Sequence, residues 1–117
     1  MGKPTGPSNE HLKNLIIELR MQDAKIWRRT AEELAKPTRK RRAVNLSRLQ
    51  LHAKDGEIVL VPGKVLGTGK LEKKLTIAAW QFSKQAEEAI KKAKGSAITI
   101  QELMKKSPKG TGVKIYG

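Results

Sequence analysis

The sequence predicts a small single-domain α/β protein, in which a pair of helices is followed by alternating strands and helices. Its 117 residues are enough to bury one hydrophobic core, since a chain of this length buries about two-thirds of its unfolded surface. Apolar residues recur with helical spacing in the first third and with the two-residue spacing of strands from about Ala43 onward. The later order of strand, helix, strand, helix, strand favours parallel crossovers.

The chain is expected to open with an arm and a first helix. Residues 1–8 contain two Pro and two Gly and predict an extended basic arm, with residues 9–117 forming one folded domain. Ser8 is expected to cap a helix that runs to about Gln22, and Glu10 in its first turn suits the helix dipole. The apolar face of this helix consists of Leu12, Leu15, Ile16 and Leu19.

A second helix is expected between Asp23, a possible N-cap, and Pro37, which cannot continue it. Its apolar face consists of Trp27, Ala31 and Leu34. The opposite, solvent-facing side carries Arg28, Arg29, Glu32 and Glu33.

The next segment predicts a β-hairpin. Residues 44–47 alternate between apolar and polar and are expected to form a strand, although Leu46 and Leu49 would also suit a helix. Residues 54–57 contain a Gly and predict the turn, and the β-branched residues 58–61 predict the returning strand. A glycine-rich basic connection follows over residues 62–70.

The last third predicts three strands and two helices. Residues 75–82 are apolar on both faces, with Leu75, Ile77 and Ala79 opposite Ala78, Trp80 and Phe82, so this strand should be covered on both sides. Ser83 is expected to cap a helix that Gly95 ends, with a buried stripe of Ala86, Ala89, Ile90 and Ala93. A strand over 97–100 leads into a helix that ends before Pro108, with Thr99 and Glu102 as its capping box. Residues 112–115 predict a final strand.

The charge of the chain points to a polyanionic partner. Lys and Arg number 25 against 11 Asp and Glu, for a net charge of +14 at pH 7, and such an excess is relieved by binding a polyanion. Five of the seven residues 36–42 are basic, and no acid lies between Glu33 and Asp55. Guanidinium groups bind phosphate oxygens through two parallel hydrogen bonds. Phosphate binding is therefore favoured over a solvated charged face or a nuclear-localisation signal.

The composition argues against several other classes of protein. With no Cys in the chain, disulfides, thiolate zinc sites and thiol nucleophiles are excluded. His11 and His52 have no cluster of carboxylates near them in the sequence, so neither a metal site nor a catalytic triad is predicted. No apolar run approaches the ~20 residues of a membrane span, and no signal-peptide pattern opens the chain. We expect a soluble cytoplasmic protein that is not an enzyme and has no cofactor or small-molecule substrate.

The glycine-rich connection does not match a nucleotide-binding loop. Five residues separate Gly63 from Gly69 where the Walker A pattern has four, and Leu71 occupies the position of the magnesium-ligating hydroxyl. The loop is better suited to backbone contact with nucleic acid, with Lys64, Lys70, Lys73 and Lys74 as point charges. The chain has four aromatic residues, too few for a base-stacking platform, so recognition of backbone shape is predicted.

In combination, several stretches of the chain resemble the archaeal and eukaryotic L-eighteen-e family of large-subunit ribosomal proteins, from about Asn9 to Ile115. These stretches are Ile26-Trp27-Arg28, Ala31-Glu32-Glu33-Leu34, Pro37, Val44-Asn45-Leu46-Ser47-Arg48, Val59 to Gly67, and Thr76 to Ser83. The glycine loop, apolar strand and Ala-rich helix are also similar to the bacterial L-fifteen proteins. The resemblance implies irregular units of strand pairs and helices that bind large-subunit rRNA, beside neighbouring ribosomal proteins, and the length suggests an archaeal source.

The resemblance and the charge pattern together select the candidate RNA-binding residues. These are Arg28, Arg29, Arg39, Lys40, Arg41, Arg42, Asn45, Arg48, Lys64, Lys70, Lys73, Lys74, Lys109 and Lys114. The expected function is that of a structural ribosomal protein that stabilises folded rRNA without catalysing a reaction. The alternative is a general DNA- or chromatin-binding module, which would share the charge and would bind duplex DNA as a free protein.

Overall fold

The computed structural model describes residues 10–36 and 43–116 of the chain. These residues form five helices, namely α1 (Glu10–Arg20), α2 (Lys25–Ala35), α3 (Leu46–His52), α4 (Lys84–Lys92) and α5 (Ile100–Lys106). The five strands are β1 (Ala43–Asn45), β2 (Ile58–Leu66), β3 (Thr76–Phe82), β4 (Ser96–Thr99) and β5 (Val113–Ile115). The predicted α/β class, with a helix pair ahead of strands and helices, is confirmed. None of the helices described is long and apolar enough to span a membrane.

The strands form one sheet with the order β1-β2-β3-β4, and every strand pair in the described residues is parallel. β2 pairs with β3 on one side. On its other side, the first half of β2 pairs with β5, with Ile58 opposite Val113. The second half pairs with β1, with Ala43 opposite Lys64. The carboxyl ends of all five strands therefore point toward the same edge of the sheet.

Two apolar layers cover the sheet, one on each face. Leu60 and Ala78 contribute to a core with α1, α2 and α5, which contains the fully buried Trp27. Val59 and Ile77, their neighbours in sequence, contribute to a second core with α3 and α4. The prediction that the strand over 75–82 is covered on both sides is thus confirmed. Phe82 is an exception, because it packs with the second core rather than on the face of Ala78.

The predicted hairpin is wrong. β1 ends at Asn45, and the residues that follow form α3, whose Leu46 and Leu49 are fully buried. This helix carries the chain back to the start of β2, so that β1 and β2 run in the same direction. Residues 54–57 do form a turn, in which the Glu57 N–H donates to the Lys54 carbonyl at 3.0 Å, but the turn connects a helix to a strand.

β2 is also longer than predicted. The expected strand over 58–61 continues through Pro62 and Gly63 to Leu66. The register between β2 and β3 shifts between Val61 and Lys64. Because proline cannot donate to a sheet ladder, an irregularity of this kind is what allows Pro62 to lie inside a central strand.

The expected caps are confirmed for α4 and α5 and are wrong for α2. Ser83 Oγ accepts from the Ala86 N–H at 3.1 Å, and Thr99 and Glu102 form a reciprocal capping box. The N-cap of α2 is Ala24, and Asp23 instead offers its backbone carbonyl to Arg28 Nη2 at 2.9 Å. The expected cap of α1, Ser8, lies outside the described residues.

The end of α4 differs from the prediction in one residue. Gly95 was predicted to end the helix, but the left-handed conformation is adopted by Lys94, with φ of 63°. The Gly95 N–H donates to the Ile90 carbonyl and the Lys94 N–H to the Lys91 carbonyl, both at 2.9 Å. This pair of bonds is the Schellman arrangement, in which the residue before Gly95 bears the unusual φ.

Candidate nucleic-acid interface

The carboxyl ends of the parallel strands bring two helix starts and one loop together. α3 begins directly after β1 and α4 directly after β3, so both helices start at this edge of the sheet. The loop 67–70 leaves β2 between them. The Ser47 N–H at the start of α3 donates to the Thr68 carbonyl at 3.2 Å, and the Ser83 N–H before α4 donates to the Val65 carbonyl at 2.9 Å. We call this region the carboxyl edge.

Two glycines of the loop allow its backbone to lie against these helices. A Cβ atom on Gly67 would lie 2.5 Å from the Cβ of Gln85 and 2.6 Å from the Ala86 nitrogen. Gly69 has a φ of +93°, and a Cβ there would lie 2.5 Å from the Cβ of Ser47. Both spaces are too small for any side chain. The glycines therefore fit the loop to α3 and α4, which gives a packing reason for their presence where no nucleotide motif exists.

Three of the predicted RNA-binding side chains are exposed around this edge. Arg48 lies in the first turn of α3, Lys64 near the end of β2, and Lys70 at the end of the glycine loop. The Lys70 Nζ atom is 4.0 Å from Glu72 Oε1, and both side chains are mostly exposed, so this ion pair has little strength. We refer to Arg48, Lys64 and Lys70 as the basic edge.

The basic run of the sequence adjoins the basic edge along the chain. Arg39, Lys40, Arg41 and Arg42 lie outside the described residues, so their prediction as RNA ligands stays a prediction. Arg42 immediately precedes Ala43, whose partner in the sheet is Lys64.

The predicted ligand Lys73 is engaged within the protein. Its Nζ donates to the Ala53 carbonyl at the end of α3 at 2.6 Å, and the side chain is only partly exposed. Lys74 has an exposed side chain, while its backbone N–H donates to Asp55 Oδ1 at 2.6 Å. The two neighbouring lysines therefore differ, since Lys73 closes the carbonyl end of a helix and Lys74 leaves its amino group in solvent.

Gln50 organises the same connection and was not singled out from the sequence. Its Oε1 accepts from the backbone N–H groups of Glu72 at 2.9 Å and Lys73 at 3.2 Å. Together with the contacts of Ser47 and Ala53, these bonds make the chain between β2 and β3 follow α3 from its start to its end. No local pattern signals such a role, because the bonded residues are more than twenty positions apart.

The remaining candidates lie away from the carboxyl edge, apart from Asn45. Arg28 and Arg29 are exposed on α2, and Lys109 follows Pro108, whose carbonyl accepts from Trp27 Nε1 at 2.7 Å. Lys114 is exposed on β5, opposite Val59. Asn45 ends β1, and its Oδ1 is buried without a hydrogen-bond partner in the described ranges.

Tyr116 connects the end of the described chain to this region. Burial raises the pKa of its phenol, the carboxylate of Glu57 raises it further, and the positive charge of Arg48 acts in the opposite direction. The phenol is therefore neutral at physiological pH. The Tyr116 N–H donates to the Leu60 carbonyl at 2.9 Å, and this bond belongs to the parallel pairing of Leu60 with Ile115.

The described residues contain no group of His, Asp or Glu that could hold a metal ion. What the basic edge does present is exposed cations on a frame of paired strands and helix starts. Such groups can neutralise phosphates along a nucleic-acid backbone, which positions a protein on its ligand without reading the base sequence.

Comparison with known proteins places the chain among ribosomal proteins. Residues 24–98 match the profile of a family of ribosomal proteins that is described by its 50S members L15 and L18e and its 60S member L-twenty-seven-A. Large ribosomal subunit protein eL18 of Methanoregula boonei is 44% identical over 119 residues, which cover 98% of each chain. The eL18 protein of Pyrobaculum aerophilum is 44% identical over 96% of this chain and 95% of its own. That of Archaeoglobus fulgidus is 44% identical over 92% of this chain and 96% of its own. The chain therefore belongs to the ribosomal protein family of L15 and L18e.

Proposed function

We propose that this chain is a structural constituent of the large ribosomal subunit that binds folded rRNA and stabilises it. The observation that carries the proposal is the basic edge, three exposed cations held at the carboxyl ends of parallel strands in a chain of net charge +14. The choice of the large ribosomal subunit as the assembly is supported by the relatives that are named large ribosomal subunit protein eL18. The role requires no chemical reaction, and the family is a structural one.

The basic edge can act because its backbone is fixed before binding. Lys64 lies on a strand that is paired on both sides, and Arg48 lies on a helix whose neighbouring residues Leu46 and Leu49 are buried. Little backbone entropy is then lost when phosphates bind. The Arg48 guanidinium suits two oxygens of one phosphate, whereas Lys64 and Lys70 act as point charges.

The other candidates enlarge this surface. We assign the four residues of the basic run, Arg39 to Arg42, to phosphates next to the basic edge, and Arg28, Arg29, Lys109 and Lys114 to a second region of contact. We expect Lys73 to serve mainly the fold, because one of the three N–H donors of its ammonium group is bonded to the Ala53 carbonyl. Its role as an RNA ligand stays a prediction. We keep the proposed division of the chain into an arm, residues 1–8, and a folded domain, residues 9–117. The protein is proposed to be a component of cytoplasmic ribosomes, where it lies beside neighbouring ribosomal proteins.

Sedimentation tests the assembly. We expect the native protein to sediment with large subunits in a sucrose gradient and to remain absent from lighter fractions. A variant with Arg48, Lys64 and Lys70 replaced by Gln should leave the subunit at a lower salt concentration than the native chain. The matched control replaces Lys92, Lys105 and Lys106, three exposed lysines on α4 and α5, by Gln.

The outcome separates the candidate functions. Equal salt release of the two triple variants would show that total charge, and not the basic edge, holds the protein on the subunit. A native protein that stays in light fractions and binds duplex DNA as tightly as rRNA would instead support a general DNA-binding module.

A further inference from the structure

One side of the sheet, along its outer strand β4, is open. This β4 edge runs along a strand and is distinct from the carboxyl edge, where the strands end. β4 is the last strand in the order β1-β2-β3-β4, and in the described part of the chain it pairs with β3 alone. Ser96, Ala97 and Thr99 are exposed there. Edge strands are commonly protected by a Lys or Pro within the strand. The sequence Ser96-Ala97-Ile98-Thr99 contains neither, whereas β5 carries Lys114.

The hydrogen-bond pattern shows which backbone groups point outward. The Ser96 N–H donates to the Leu75 carbonyl at 2.9 Å, toward β3. Because successive residues of a strand alternate in direction, the N–H and carbonyl of Ala97 point away from β3. The next outward N–H, that of Thr99, is bound to Glu102 Oε1 at 3.3 Å. The open edge thus presents the N–H and carbonyl of Ala97, and the carbonyl of Gly95, at the spacing of a strand.

A groove of about 400 Å³ runs beside these groups. Gly95 and Ala97 form its backbone wall, and α4 contributes Lys84, Glu87, Glu88 and Lys91. Two cations and two carboxylates give this wall no net charge, in a chain whose total is +14. A phosphate backbone would meet the two carboxylates as well as the two lysines, so the groove is poorly suited to RNA.

We infer that the β4 edge is a docking site for an extended polypeptide segment of a neighbouring protein, which adds to the sheet as a further strand beside Ala97. This interaction rests on the proposed place of the chain in the large subunit. Main-chain hydrogen bonds provide the attachment in such strand addition, and alternate side chains provide the selectivity. The residue of the segment whose N–H bonds to the Ala97 carbonyl cannot be proline. The side chains of the segment that face α4 must include both charges, to match Lys84, Glu87, Glu88 and Lys91.

The site is small, which decides where it must be tested. Among the described residues, the edge offers one free N–H and two free carbonyls, which allow about three hydrogen bonds, and the net gain from each such bond is small because water is displaced to make it. That is too little to hold a free peptide against its loss of translational and rotational freedom. The added strand therefore depends on the assembled particle, in which both proteins are already held in place.

Amide exchange compares the assembled and free states. Amide hydrogen exchange of the native protein is measured both in purified large subunits and in the free protein. In each state it is followed in the fragment that contains residues 95–99. We expect one additional slowly exchanging amide in the subunit, that of Ala97, because the amides of Ser96 and Thr99 are already bonded. An exchange rate at Ala97 that does not change on assembly overturns the inference. If the protein does not sediment with large subunits, the proposed function has failed instead.

Cross-linking identifies the class of molecule that covers the edge. The chain has no Cys, so Ala97→Cys provides a unique thiol for a benzophenone label. In purified subunits we expect a cross-link to one protein. A cross-link to rRNA, or none, overturns the inference. The control is Thr111→Cys, an exposed residue before β5, and recovery of the same protein product from both positions also overturns it.

Discussion

Individual residues divide into those that serve the fold and those left free for a ligand, and residue type alone does not separate them. Trp27 was predicted to pack, because it lies on the face of Ala31 and Leu34, and it is fully buried. Lys73 was predicted to bind RNA and is bonded to a helix end. The packing role of Trp27 follows from local periodicity. The bond of Lys73 depends on the carbonyl of Ala53, twenty residues away, which no local pattern indicates.

Trp27 provides a test of the core. We expect Trp27→Ala to lower the free energy of unfolding by about 3–5 kcal/mol, because a fully buried ring leaves a cavity. Trp27→Phe keeps an aromatic ring but leaves the Pro108 carbonyl without its donor, and should cost about 1–3 kcal/mol. Urea denaturation measures both. A Trp27→Ala protein that melts normally but loses RNA affinity would identify the ring as a base-stacking group.

Lys73 and Lys74 form a matched pair for a second test. Lys73→Met removes the donor to the Ala53 carbonyl while keeping most of the side-chain length, and should lower the unfolding free energy by about 1 kcal/mol. Lys74→Met removes an exposed amino group, so its stability should change by less than about 0.5 kcal/mol. RNA binding at low salt should weaken for Lys74→Met and stay unchanged for Lys73→Met. The reverse pattern in RNA affinity would mean that the Ala53 bond gives way to a phosphate.

At the level of elements, local signals predicted the helices and caps, while long-range pairing was missed. Ser83 and the Thr99–Glu102 box cap α4 and α5 as expected, because each cap involves residues three apart. The hairpin was wrong, since the alternation over 44–47 fits a strand of either direction. The spacing of Leu46 and Leu49 suits a helix as well, and the burial of both in a core shared with β2 decides for α3 there. That core is assembled from distant parts of the chain.

The end of α4 offers a stabilising substitution. Lys94 adopts a φ of 63°, a conformation that costs a residue with a Cβ about 1–2 kcal/mol. We expect Lys94→Gly to raise the unfolding free energy by up to about 1 kcal/mol, since part of this gain is offset by the greater freedom of glycine in the unfolded chain. Thermal denaturation compares it with Lys92→Gly, which places glycine inside the helix and should destabilise by a similar amount. A less stable Lys94→Gly protein would contradict the Schellman assignment.

For the whole molecule, the charge pattern predicted the class of ligand, and the topology decides where the charges gather. Net charge and the density of the basic run are properties of the sequence. The placement of Arg48, Lys64 and Lys70 toward one end of the sheet is not, because it follows from the parallel pairing of β1 with β2, which starts α3 at the end where β2 finishes. An antiparallel pair was predicted at this point. An interface built from strand ends therefore becomes visible only when the direction of each strand is known.

The salt dependence of binding measures how many phosphates the basic run neutralises. Replacing Arg39, Lys40, Arg41 and Arg42 by Ala should reduce the slope of log affinity against log salt by about 0.7–0.9 for each lost contact, about three units in all. Affinity should fall for every RNA tested, because phosphate contacts position a protein without specifying sequence. A salt titration on one rRNA fragment compares the variant with the native protein, and circular dichroism confirms folding.

A second quadruple variant makes the same measurement specific to position. Lys13, Lys92, Lys105 and Lys106 are exposed on α1, α4 and α5, and replacing them by Ala removes the same total charge. We expect this control to keep most of the native slope, because counterion release counts the cations that contact phosphates and not the net charge of the protein. If both variants lose about three units, attraction is spread over the whole surface. If only the control loses them, the helices and not the basic run face the RNA.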